Sequence, residues 1–237
     1  MNAAAAPRDL TLNINEIFYS IQGESTYAGR PCVFIRLRGC HLRCAYCDTE
    51  YAFHEGEKWT LGRVLDTVES VSGGRADLVE VTGGEPLLQR NVHPLMAALC
   101  DAGKTVLLET SGACDLAPCD PRVVRIMDLK TPGSGEAHRN RWENLDQLTG
   151  RDEIKFVLTR RGDYDWMKNK LAEHQLRDRV AAVLVSAVNH VAPGREIAGC
   201  EGLSLTDLAH WVLEDRLPVR VQTQLHKLIW DPLARGV

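Results

Sequence analysis

The sequence predicts an α/β fold in which parallel strands, with helices outside them, curve into a barrel that does not close. Three observations predict it. Short β-branched runs alternate with stretches of helical period along the chain, the pattern of a right-handed parallel winding. About six or seven strand runs can be counted, too few for a closed eight-stranded barrel. Polar residues recur where strands give way to loops, at Thr82, Glu109, Ser111, Asp128, Lys130, Ser186 and Gln222. Parallel α/β barrels carry their active sites at that end of the strands. The expectation is a partial (open) TIM-like barrel with one polar rim.

Composition bounds the function classes. A chain of 237 residues fits one domain with a sizeable core. A net charge of −4 argues against a nucleic-acid-binding face. No apolar run reaches the length of a membrane span, and no signal peptide is visible. Eight cysteines without an export signal point to reduced thiols and a cytoplasmic location.

Residues 1–13 read as a frayed tail and 14–237 as a single domain. Ile14 to Ile21 alternates loosely and meets Gln22-Gly23-Glu24-Ser25, a tight polar turn. Cys32 to Arg38 is β-branched and aromatic, a strand ending at Gly39. Leu61, Val64, Leu65, Val68 and Val71 fall at helical spacing behind Thr60, a plausible N-cap. Leu78 to Thr82 is the next strand, followed by Gly83-Gly84-Glu85-Pro86. Asn91 to Ala102 reads as a helix, Thr105 to Thr110 and Val123 to Leu129 as strands. Pro132 to Arg139 reads as a loop and a candidate lid. Ile154 to Leu158 is a strand, Tyr164 to Glu173 a helix, and Val180 to Ala187 the most apolar strand. A helix over Leu203 to Leu213 with Ser204 as its cap precedes a short strand, Val219 to Gln222.

The chemistry concentrates in Gly39-Cys40-His41-Leu42-Arg43-Cys44-Ala45-Tyr46-Cys47-Asp48-Thr49, where three cysteines are spaced C-x3-C-x2-C. Thiolates this close can converge on one metal centre. Iron–sulfur cubes usually take four cysteines, so a three-cysteine site leaves one iron open to a non-protein ligand. The competing reading is structural zinc, which is normally closed by four ligands in paired units. Only Cys44 and Cys47 make such a pair, with His41 the nearest substitute. In Gly83-Gly84-Glu85-Pro86 the two glycines allow close backbone approach by a ligand, and the Glu85 side chain is placed to accept from a cationic amine. Cys114 and Cys119 are close enough to share a second cluster, although packing thiols are the commoner use of such residues.

C-x3-C-x2-C with an aromatic before the last cysteine, followed by the GGE segment, resembles the signature of the radical S-adenosylmethionine (SAM) enzymes. That resemblance implies a 4Fe–4S cluster on Cys40, Cys44 and Cys47, with SAM chelating the open iron. It further implies reductive cleavage of SAM to a 5′-deoxyadenosyl radical that abstracts a substrate hydrogen. Asn15 to Glu24, Phe34 to Thr49, Thr82 to Pro86, Asp128-Leu129-Lys130 and Gln222 to Trp230 together resemble one family within it, the 7-carboxy-7-deazaguanine synthases of the queuosine pathway. The likeness runs from about Asn15 to Trp230. It implies conversion of 6-carboxy-5,6,7,8-tetrahydropterin to 7-carboxy-7-deazaguanine with loss of ammonia.

Carried over by position, the resemblance places Tyr46, Cys47, Asp48, Gly84, Glu85, Asp128, Lys130 and Ser186 around SAM. It places Ile21, Gln22, Gly23, Glu24, Arg36 and Thr82 on the pterin, and Thr49 on Mg²⁺. Arg36 suits a substrate carboxylate, since its planar fork matches one. The family implies a homodimer and an electron donor such as flavodoxin or ferredoxin. Ser111 departs from the T-N-G segment of many radical SAM enzymes, which leaves the ribose contact there open. The residues after Trp230 leave open how the C-terminus closes on substrate. Two rivals stand beside this reading. One is a glycyl-radical activase acting on a protein, which leaves Arg36 and Gln222 to Lys227 unexplained. The other is a non-catalytic metal or RNA module, against which the acidic charge argues.

Overall fold

A computed structural model of the chain describes residues 7–188, 200, 202–232 and 234–237, and its strands form one nine-stranded sheet. The first elements are β1 (Thr11–Ile21), β2 (Pro31–Leu37), β3 (Glu57–Thr60), α1 (Leu61–Ser72), β4 (Leu78–Gly83) and α2 (Val92–Asp101). Then follow β5 (Thr105–Thr110), β6 (Val124–Asp128), β7 (Glu153–Leu158), α3 (Arg161–Glu173), β8 (Ala182–Ala187), α4 (Leu205–Glu214), β9 (Arg220–Gln222) and α5 (His226–Ile229). Strand order is β3-β1-β2-β4-β5-β6-β7-β8-β9. Every pair from β2–β4 to β8–β9 is parallel. The sheet has two edges, β3 and β9, and is open as expected, although it has nine strands rather than six or seven.

Two helices start at the caps the sequence marks, whereas α3 begins at Arg161, ahead of the expected Tyr164, and α5 was not expected. Thr60 Oγ1 accepts from Arg63 N at the head of α1, which ends at Gly73 in the left-handed conformation. Ser204 caps α4 by accepting from Asp207 N.

Two expectations need correcting. The winding is not parallel throughout, because β1 runs antiparallel to both β2 and β3. The turn and loop at 22–30 join β1 to β2 without a crossover helix, and such a link serves only antiparallel neighbours. β3 is short and polar, so no periodicity announces it. Residues 7–13 are not frayed, and residues 1–6 of the expected tail lie outside the described residues. Leu12 is a core residue of β1, and Arg8 donates to Gly62 O and Asp66 Oδ1.

Strand alternation gives the sheet two different faces. In β4, Val79 and Val81 join the large core under the helices, while Leu78, Glu80 and Thr82 point the other way. Leu107 and Glu109 of β5, and Val124, Ile126 and Asp128 of β6, share that concave side by the same period. Its floor is a small apolar cluster of Cys32, Phe34, Leu78, Leu107, Val124 and Ile126. β2, β4, β5 and β6 therefore present apolar residues low on the concave face and polar ones at its end, which puts a charged mouth above an apolar floor.

Candidate active site

The cysteine loop leaves β2 through Gly39, whose φ of +99° few other residues adopt. Cys40, Cys44 and Cys47 are all free and half-buried. Leu42 N donates to Cys40 Sγ at 3.4 Å, and Cys47 N to Cys44 O at 3.1 Å, which curls the loop on itself. Gly39 N donates to Ala52 O at 2.8 Å. Ala45 N donates to Ser134 O at 3.0 Å, and Arg43 N to Glu136 Oε1 at 2.7 Å. Pro132 to Arg139 is therefore a strut of two 3₁₀ turns braced against the loop.

The GGE segment packs directly beneath. Gly84 N donates to Leu37 O at 3.2 Å and Glu85 N to Gly39 O at 2.8 Å. A Cβ on Gly84 would sit 2.2 Å from Gly39 O and 2.8 Å from Cys40 Cβ. The glycine is required by contact between two loops, before any ligand is considered. Glu85 is fully buried, and its carboxylate accepts from Leu87 N, Thr110 Oγ1, Ser111 N and Ser111 Oγ. Its oxygens are fully used by the fold, so the expected contact of the Glu85 side chain with an amine is corrected. Ser111 spends its hydroxyl here.

Burial pushes the Cys44 thiol up to about 11 and raises Cys40 and Cys47. Bare, these groups stay protonated at neutral pH, and iron binding must displace their protons. Among the described residues no three His, Cys, Asp or Glu side chains are grouped for a metal ion. Next to the three thiols Tyr46 Oη and Asp128 Oδ1 are buried without a hydrogen-bond partner among the described residues. Buried polar atoms are rarely left so, and the two mark a place where a polar ligand fits. Lys130 Nζ donates to Asp128 Oδ2 at 2.8 Å and lies 5.8 Å from the Tyr46 ring centre. Ser186 is buried further along the rim, accepting from Gln222 Nε2 at 3.0 Å.

The concave mouth gathers Gln22, Glu24, Arg36 and Thr82. Gln22 is buried, donates to Glu80 Oε2, and accepts from Glu24 N at 3.0 Å. Arg36 Nε donates to Glu16 Oε1 at 2.8 Å, and Tyr51 Oη to the same oxygen at 3.0 Å. Among the described residues the two terminal nitrogens of Arg36 make no hydrogen bond, which leaves its fork for an anion. Thr82 Oγ1 lies 3.4 Å from Glu109 Oε2. Ile21 is the last residue of β1, opposite Pro31.

Asp48 and Thr49 face the C-terminal segment. Thr49 Oγ1 donates to Asp48 Oδ1 at 3.1 Å, while Lys227 Nζ and Gln224 Nε2 donate to Oδ2. Burial would raise the Asp48 carboxyl, but the Lys227 ammonium and these hydrogen bonds hold it well below the usual range. Gln224 also donates to Glu24 Oε1 at 3.0 Å, and Leu225 N to Gly23 O at 3.0 Å. The residues after Trp230 fold back as well. Arg235 lies 3.7 Å from the Tyr51 ring centre and pairs with Glu55 at 2.9 Å.

Sequence reasoning missed Lys155, the most enclosed cation of the mouth. Its Nζ donates to Glu109 Oε1 and to Glu24 Oε2, with Asp128 Oδ2 4.0 Å away. The available signal was a lysine inside an otherwise apolar parallel strand, Ile154-Lys155-Phe156-Val157. Cys114 and Cys119 pack on the large core, Cys119 as part of it.

A half-open sheet with a three-cysteine loop at its first parallel strand end is the architecture of one superfamily, and the family model for the radical SAM superfamily matches residues 34–172. The chain belongs to that superfamily. Its relatives narrow the class. A 7-carboxy-7-deazaguanine synthase of Koribacter versatilis is 46% identical over 228 residues, covering 95% of this chain and 100% of that protein. One from Chlorobaculum tepidum is 44% identical, covering 95% and 97%. The chain thus belongs to the 7-carboxy-7-deazaguanine synthase family. The structure of QueE from Escherichia coli shares the fold at a TM-score of 0.69 with 24% identity, covering 91% of this chain and 95% of that one. A 4Fe–4S cluster and SAM are the cofactors of this superfamily, and the chemistry of the three thiols and the two orphaned oxygens fits them.

Proposed function

We propose that this chain converts 6-carboxy-5,6,7,8-tetrahydropterin to 7-carboxy-7-deazaguanine with loss of ammonia, in queuosine biosynthesis. The observation that carries the reading is the 46% identity across the full length of a relative with that name. The geometry supports it through Arg36, a half-buried guanidinium with two unspent nitrogens over the apolar floor, suited to a carboxylate on a flat ring. No feature of the relatives or of the mouth favours a glycyl-radical activase.

Bound together, the cluster and SAM supply the radical that removes a substrate hydrogen. Everything else falls to the chain. Cys40, Cys44 and Cys47 hold the cluster. Tyr46, Asp48, Gly84, Asp128, Lys130 and Ser186 line SAM, and Glu85 contributes through its backbone. Gln22, Gly23, Glu24, Arg36 and Thr82 orient the pterin, where small misplacements cost large factors in rate. The C-terminal segment over Gly23 and Asp48 helps exclude water. Thr49 offers one hydroxyl to Mg²⁺, a cation that commonly keeps its waters and takes few protein ligands. A flavodoxin or ferredoxin as donor, a homodimeric assembly and a cytoplasmic location belong to the same proposal.

The test is an anaerobic assay of cluster-loaded protein with SAM, reductant and carboxytetrahydropterin, read by mass spectrometry. Carboxydeazaguanine is expected, less of it when Mg²⁺ is omitted, and none from Cys44→Ala. Deoxyadenosine without that product would keep the radical chemistry and discard the pterin.

A further inference from the structure

Lys155 has no role in any step described so far, yet it is the most enclosed cation of the mouth. Its side chain is 6% exposed, against 17% for Glu24 and 26% for Glu109. It approaches the two acids from beneath, out of β7, while they come from the turn after β1 and the end of β5. Among the described residues no other side chain bonds to both acids. Glu24 Oε1 is additionally held by Gln224, whereas among the described residues Glu109 Oε2 has only the long contact with Thr82. Most of the acceptor capacity of Glu109 is therefore unspent and faces the mouth. An isolated lysine would not survive such burial as an ammonium. Here burial is outweighed by Glu109 and Glu24, which raise Lys155 well above its ordinary range.

We propose that Lys155 is a positioning residue, fixing the carboxylates of Glu24 and Glu109 side by side so that they jointly accept from the N–H edge of the substrate ring. The role rests on the pterin reading above. Without the ammonium, Glu24 and Glu109 would share one enclosed site that the buried Glu80 also faces, and like charges so placed separate or take up a proton. The ring would lose its fixed orientation, and the hydrogen to be removed would leave its place.

The test compares wild type, Lys155→Met and Lys155→Arg as cluster-loaded proteins. It reads KM for the pterin, KM for SAM, and the ratio of deoxyadenosine released to carboxydeazaguanine formed. In Lys155→Met the pterin KM is expected to rise about tenfold or more, the scale of lost charge-assisted hydrogen bonds. The deoxyadenosine ratio should rise with it, and the SAM KM should stay unchanged. A loss of fold alone would lower active enzyme without moving either KM or the ratio. Lys155→Arg keeps the charge and serves if the methionine variant does not fold. A broad planar fork cannot reproduce a single nitrogen between two acids, so a raised pterin KM is expected there too. A second arm repeats Lys155→Met in a Glu24→Gln, Glu109→Gln background, where its effect on pterin binding by equilibrium dialysis should vanish.

Wild-type pterin KM and ratio in a folded Lys155 variant would overturn the positioning role while leaving the pterin reading intact. Full persistence of the effect in the double-Gln background would overturn it too, because Lys155 would then act directly. A wild-type protein that makes no carboxydeazaguanine would instead refute the reading on which the proposal rests.

Discussion

Gly84 shows how much of this site is decided by single atoms. The carbonyl of Gly39 occupies the space a Cβ would need, 2.2 Å away, and backbone cannot step aside as a long side chain can. Gly84→Ala should cost about 1–3 kcal/mol as an overpacked contact. The strain falls on the residue before Cys40, so the expected outcome is a folded protein that reconstitutes less iron than wild type. Iron per chain after reconstitution measures it, and full loading would show that the two loops are not coupled. The cysteine motif was legible in the sequence because its ligands lie within one loop. Glu85 was read correctly as special but for the wrong reason, since its four hydrogen-bond donors come from Leu87, Thr110 and Ser111. Lys155 was not legible, because its partners lie 46 and 131 residues away.

At the scale of elements, the turn after β1 and the C-terminal segment behave as one unit. Gly23 O accepts from Leu225 N, and a Cβ on Gly23 would lie 2.2 Å from His226 Nδ1. Gly23→Ala should therefore push the His226 ring away and loosen 224–230, while β2 to β8 keep their ladder. Faster amide exchange confined to 224–230, with weaker pterin binding, is the expected result in hydrogen-exchange mass spectrometry. Unchanged exchange there would mean that the ring simply rotates into free space. Helices and parallel strands were legible element by element through their period and caps. β3 was not, because Glu57-Lys58-Trp59-Thr60 takes its conformation from pairing with β1 rather than from its own pattern. The strut at Pro132 to Arg139 was equally hidden, as its bonds to the cysteine loop are mostly to backbone.

For the molecule as a whole, the ends of the parallel strands divide the work. Binding groups collect at the C-terminal ends, and the opposite ends carry stability, as expected for this class of barrel. The second role is concentrated in Arg125 and Asp152, both buried at the entry of β6 and β7. Arg125 Nε donates to Asp152 Oδ1 at 3.0 Å and Nη2 to Oδ2 at 2.5 Å. Thr149 N and Oγ1 also donate to that carboxylate, and Ala181 N donates to Asp152 O. One fork thus ties β6, the loop before β7 and the entry to β8. Arg125→Met leaves Asp152 buried without its countercharge, a change worth about 3–5 kcal/mol when a buried pair is broken. In a domain of this size that corresponds to a melting temperature lower by roughly 10 °C. Iron loading and SAM affinity, measured well below the melt, should match wild type, because neither residue reaches the rim. A variant that melts like wild type would show that Thr149 and the backbone amides hold Asp152 unaided. One that melts normally but loses SAM would show that the two ends of the sheet are not independent.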